Sequence, residues 1–293
     1  MSRTDRSTGA SGSEGSGLRP PEPGKGLPVS GATVAAAADL GPAVRAALAR
    51  HVLTLADSKR LLGLRYSDWI LGSPSIETGI AASSMAQDEW GHARLLYAML
   101  KELEIDPIWV EHRRPASRWA SVDVLDRPLS DWGEVVAAMH VVDGALQVAL
   151  EGFAGGRYEP ARARVPKMLA EEAFHHDLGL AWFRKLAAGS REGAERLAAA
   201  SRDLLPLTLA WLTPCDEAFG ALVGAGLVPE AALLLERYAE RVGPALEGVG
   251  IVLSEVEAER SGWDGERSRG PGHPDEDAIE RARGDRNRAL FVE

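Results

Sequence analysis

MAQDEWGHARLLY at residues 85–97 and EEAFHHDLG at residues 171–179 each contain a Glu-x-x-His unit, formed by Glu89 with His92 and by Glu172 with His175. A Glu and a His three residues apart share one face of a helix, so both can point at the same spot in a bundle core. The neighbours agree with that geometry. Ala82, Met85 and Leu96 recur at helical spacing around the first unit, and Met168 and Trp182 around the second, which places both units on apolar stripes. Upstream of each lies another helical stretch with an acid on its stripe: Asp57 stands 32 residues before Glu89, and Asp143 stands 29 before Glu172. An antiparallel hairpin with both residues at mid-height needs about that separation, half of each helix plus a turn, at roughly 1.5 Å rise per residue. Asp57, Glu89, His92, Asp143, Glu172 and His175 therefore form the ligand inventory of a two-metal site in a four-helix bundle. Oxygen and imidazole donors suit two iron ions, with manganese as the alternative.

The rest of the chain reads as helices. Asp39 and Pro42 mark a helix entry, and the pattern predicts helices over 43–71, 75–104, 130–153 and from 160–166 to 189. Two additional C-terminal helices follow, at 191–224 and 229–258, with Pro206 and Pro214 expected to kink or split the first of them. The connection over 105–129 is long, rich in Trp and Arg and broken by Pro107, Pro115 and Pro128, and long loops often carry function. Residues 1–38 and 259–293 are dominated by Gly, Ser, Pro and charge. They are expected to be a disordered N-terminal tail and a polar C-terminal tail, leaving a helical domain at 39–258.

A net charge of −10 and a pI near 5.3 exclude a general nucleic-acid binder, which needs a basic face. Cys215 is the single cysteine, so intrachain disulfides and thiolate clusters are excluded. No apolar stretch reaches the length of a membrane span and no secretory signal is evident, so a cytoplasmic protein without membrane contact is expected.

Several site assignments have rivals. Asp68, three helical turns beyond Asp57, could replace it, and Asp57 could instead pair with Arg60 or Arg65. Glu171 and His176 could stand in for their neighbours Glu172 and His175. His140, one turn from Asp143, reads as a core histidine or as a support for the ligands. Tyr97, Trp90 and Phe174 read as packing or pocket wall.

With the Trp-Ile-x-x-x-Pro segment at residues 69–74 and VVDGA at 141–145, the two Glu-x-x-His stretches resemble the di-iron family of the phenylacetyl-CoA epoxidase catalytic subunit. The likeness covers about residues 55–186. It implies a ferritin-like fold, a di-iron centre, epoxidation of an aromatic ring activated as its CoA thioester, and electrons from a separate flavin and iron–sulfur reductase. Carried over by motif, Glu89, His92, Asp143, Glu172 and His175 fall on ligand positions. The family's helix-one Glu falls near Lys59, which cannot ligate a metal while protonated, and Asp57 is the nearest substitute. LADSKRLLGLRYSDW at 55–69 resembles instead the non-catalytic partner subunit of the same complex.

The expectation is an all-α, ferritin-like di-iron monooxygenase that inserts one oxygen atom into an aromatic or acyl-CoA substrate. Arg113, Arg114 and Arg118 are its candidate contacts to a CoA thioester, and a homo- or hetero-oligomer with a paralogous subunit is expected. The alternatives are a metal-free structural subunit of such an oxygenase and a ferritin-like iron or peroxide oxidase.

Overall fold

A computed structural model describes residues 31–285 and Leu290. Among these residues there are nine α-helices and no strand. Four long helices make the bundle: α1 (Pro42–Ser67), α2 (Ile76–Met99), α4 (Trp132–Gly155) and α5 (Glu159–Ala187), with the short α3 (Pro107–His112) in the long connection. Two packed hairpins result, α1 with α2 and α4 with α5, the pairing that the acid-to-motif distances require.

Local chemistry sets the ends. Ser75 caps α2 by accepting from the Thr78 N–H, and Asp131 caps α4 by accepting from the Glu134 N–H, each satisfying a donor the helix start leaves open. Each hairpin closes tightly over a glycine. A Cβ on Gly63 would lie 2.6 Å from Trp90 Nε1, and one on Gly179 would lie 3.1 Å from Met139 Cβ and 3.3 Å from its backbone. Only a residue without a side chain lets α1 approach α2 so closely at Trp90.

The core runs through all four bundle helices, with Leu55, Leu62, Met85, Leu96, Val136, Val142, Leu146, Val165 and Phe183 fully buried. Burying each such side chain contributes about 1.5–3 kcal/mol. Helix α4 is the one described helix long and apolar enough to cross a membrane, and 94% of its apolar window is buried in the protein. That is the signature of a central core helix.

The predicted fifth helix is split at its second proline, into α6 (Arg191–Leu212) and α7 (Glu217–Gly224), while Pro206 is accommodated within α6. Helix α8 (Ala231–Glu247) ends before the predicted 258. The expected N-terminal tail lies outside the described residues as far as residue 30; beyond it, Val34 pairs with Arg157 and Glu159 through backbone hydrogen bonds.

The predicted C-terminal tail differs most from expectation, because residues 259–285 pack on the bundle. Helix α9 (Glu276–Arg283) buries Ala278, Ile279 and Ala282. Arg269, fully buried, bonds to Ser121 Oγ and to the carboxylates of Asp123 and Asp126. A composition that looks unfit for a core is ordered here by arginines that find acids on the 105–129 segment.

Candidate metal centre

Helices α2 and α5 bring both Glu-x-x-His units to the middle of the bundle, and α4 adds Asp143. Glu89, His92, Asp143, Glu172 and His175 are each at most 1% exposed. Ligand atoms of Glu89, Asp143, Glu172 and His175 all lie within 4.8 Å of one another, a grouping that could hold a metal ion. Four of the six expected ligands therefore converge, and His92 lies beside them, its Nδ1 2.9 Å from Glu172 Oε1.

The contribution of α1 is Lys59 rather than Asp57. Its Nζ lies 3.0 Å from Glu89 Oε1, 2.9 Å from Asp143 Oδ1 and 2.5 Å from Glu172 Oε1, with the side chain fully buried. An ammonium has three protons, and each is matched to a carboxylate from a different helix. Burial works against a charged lysine, but Asp143, Glu172 and Glu89 overrule it and hold the pKa above its ordinary value. Tyr66, two turns after Lys59 on the same face, donates its hydroxyl to Asp143 Oδ2 at 3.1 Å.

Asp57 is two residues from Lys59, hence about 200° around the helix and on the opposite face. There it accepts from Tyr97 Oη at 2.6 Å, Arg114 Nη2 at 2.5 Å and the Ala120 N–H at 2.7 Å. The structure does not bring Asp57 into the cluster; its oxygens anchor the long connection to α1. Ser58 Oγ accepts from the Val122 N–H beside it, and Arg65 donates to the Leu125 and Asp126 carbonyls. The rival Asp68 is also elsewhere, paired with Arg65 and Arg281 at the end of α1.

The loop arginines are corrected by the same contacts. Arg114 is buried against Asp57 and stacked on Trp119, so it is a structural cation with no free face for a substrate. Arg113 and Arg118 are exposed on the surface, and Arg118 lies 3.9 Å from Glu266.

Each histidine is oriented from outside by an acid that the sequence reading did not assign to that role. His92 Nε2 lies 2.8 Å from Glu171 Oε2, and His175 Nε2 lies 3.4 Å from Asp88 Oδ2. Both rings therefore turn Nδ1 inward, the arrangement in which a carboxylate fixes a metal-binding imidazole. His92 Nδ1 is 2.9 Å from Glu172 Oε1, close enough for an ion pair yet off the line of a hydrogen bond. Glu89 and Asp88 are adjacent, as are Glu172 and Glu171, and a doubled acid beside each motif was the available signal. His140, as expected, is a core residue, its Nε2 at 3.3 Å from the Val242 carbonyl and its pKa lowered to about 4 by burial.

The charges of the cluster are strongly coupled. Burial, offset by Lys59 and reinforced by Glu172 and Asp143, pushes Glu89 up to about 7. Glu172 is held well below the carboxylate range, because Lys59 and the two histidines outweigh its burial. Burial opposes a charged His175, but Glu172, Asp143 and Glu89 lift it to about 11.

The buried cluster could hold a metal ion, and Lys59 occupies part of it. From α1 the cluster receives the positive charge of Lys59, and Asp57, the nearest acid on that helix, is engaged elsewhere. A family model described as phenylacetic acid catabolic protein matches residues 30–284. No curated protein matches the chain.

Proposed function

Because the chain belongs to the phenylacetic acid catabolic protein family, we propose that it serves as a ferritin-like partner subunit of a multicomponent oxygenase acting on an aromatic acyl-CoA. In this role it holds and completes a catalytic paralogue instead of carrying a two-iron centre itself. The observation that carries this reading is Lys59, whose ammonium binds three of the carboxylates a two-iron site would need. The likeness of residues 55–69 to the non-catalytic subunit supports it from the sequence.

The oxygenase reading keeps one observation in its favour, the two intact Glu-x-x-His units with their outer acids. It requires Lys59 to leave the cluster. Turnover distinguishes the two. The isolated chain, iron-loaded and supplied with reductase, dioxygen and phenylacetyl-CoA, is expected to give no oxygenated product, and to form a stable heteromer with a catalytic chain of the family by size-exclusion chromatography with light scattering. Product formation by the isolated chain would overturn the proposal.

A further inference from the structure

We infer that the groove between α6, α8 and residues 251–260 is a binding site for an aliphatic monocarboxylate, with the carboxylate on Arg260 and the chain on the apolar walls. The groove measures about 520 Å³, within the roughly 300–1,000 Å³ usual for small-molecule sites. It lies outside the four bundle helices, and the inference does not rest on the partner role.

The walls follow from the course of the chain. Gly250, with φ of 72°, turns it back after α8. The segment that follows is pinned over α6 at both ends: Arg202 donates to the Gly250 carbonyl, and the Glu259 N–H donates to the Pro206 carbonyl at 3.0 Å. Between these pins, Leu253, Val256 and Ala258 form one wall, while Leu209 of α6 and Leu235 and Ala239 of α8 supply the others. Among the described residues no aromatic ring lines the groove, and alkyl walls suit a flexible hydrocarbon chain. Leu235 is 42% exposed, so apolar surface remains for such a chain to cover.

Arg260 supplies the polar end. Its Nη2 is fixed at the C-terminus of α6, 2.9 Å from both the carbonyl and the hydroxyl of Thr213. Those two bonds use both Nη2 protons and hold the guanidinium plane in place. Nε is buried and has no hydrogen-bond partner, and no described carboxylate pairs with this arginine. A buried N–H without an acceptor needs an explanation, and a carboxylate at this end of the groove answers it with a charge-assisted bond. Glu236, the one acid of the lining, is exposed. Its negative charge disfavours a second anionic group, which selects a monocarboxylate over a dicarboxylate.

The test is isothermal titration calorimetry of the full-length chain with octanoate, hexanoate, octan-1-ol and octylamine. One octanoate per chain is expected to bind saturably. Hexanoate should bind about tenfold more weakly, because each methylene removed costs about threefold to fourfold. Octan-1-ol and octylamine keep the chain without the anion and should bind at least about tenfold more weakly than octanoate. Arg260→Gln is expected to bring octanoate down to the affinity of octan-1-ol while leaving octan-1-ol unchanged, and Leu235→Asp to weaken both, with helicity checked for each variant. The ligand series on the unaltered chain needs no variant to fold. Octanoate that binds no tighter than octan-1-ol, that is unaffected by Arg260→Gln, or that does not saturate would overturn the inference. A chain that binds octanoate but forms no heteromer contradicts only the partner role, and a heteromer whose subunit binds no octanoate contradicts only this inference.

Discussion

Lys59→Met is expected to destabilise the metal-stripped protein by about 3–5 kcal/mol, the usual cost of removing one partner from a buried ionic cluster. The methylene stem of Lys59 is retained in size by Met, so the loss reports the ammonium and little packing. Without it, Glu89, Asp143 and Glu172 remain fully buried with no cation from α1. The sign with pH follows. Glu89, which burial already pushes up to about 7 beside Lys59, would rise further without the ammonium, so the folded state binds its proton more readily, and stability falls as pH rises from about 4 through the raised value. Urea unfolding at pH 5 and pH 8 should therefore show the larger loss at pH 8. Equal stability of the variant and the wild type at pH 8 would mean that Lys59 does not neutralise the cluster.

Asp57→Ala should cost about as much, again about 3–5 kcal/mol, by a different route. It leaves Arg114, only 4% exposed, without its carboxylate, and strands the Tyr97 hydroxyl and the Ala120 N–H. Hydrogen exchange should rise at residues 114–126, which Asp57 and Ser58 tie to α1. Asp57→Asn keeps acceptor capacity and should lose less. In both variants the cobalt(II) taken up per chain is expected to stay at that of the wild type, because Asp57 faces away from the cluster. A drop in that uptake would restore Asp57 as a ligand.

The outcome for these two residues indicates what the sequence could convey. Periodicity placed the four bundle helices, since two apolar stripes with matched acid-to-motif distances leave few other arrangements. It also placed Glu89, His92, Asp143, Glu172 and His175 together. Helix α1 resisted because it is buried on nearly all sides, from Val52 to Tyr66 with few exceptions. A helix covered on both faces has no single stripe, so helical spacing alone could not say whether Asp57 or Lys59 faced the bundle centre. The covering comes from the 105–129 segment and from residues 259–285, whose polar composition hides their role. Arg269 with Asp123 and Asp126, and Arg281 with Asp68, are pairings across more than a hundred residues, and no local pattern announces them. The alignment that set Lys59 against the family's Glu was the one sequence signal for the ammonium in the cluster.

The same substitution has a plain thermodynamic logic. A two-metal centre gains its stability from bound ions and is costly without them, because buried carboxylates must then be protonated or paired. A lysine that cannot dissociate supplies part of that charge covalently. The bundle can then keep its fold and its buried carboxylates without relying on bound ions for all of their neutralisation.

The most direct test is electron paramagnetic resonance of the chain loaded anaerobically with iron(II) and then oxidised, with bound iron counted in the same sample. The account predicts no spin-coupled iron pair, because the Lys59 ammonium already holds Glu89, Asp143 and Glu172. Two irons per chain in a spin-coupled, resonance-silent pair would contradict the hold of Lys59 on those three carboxylates.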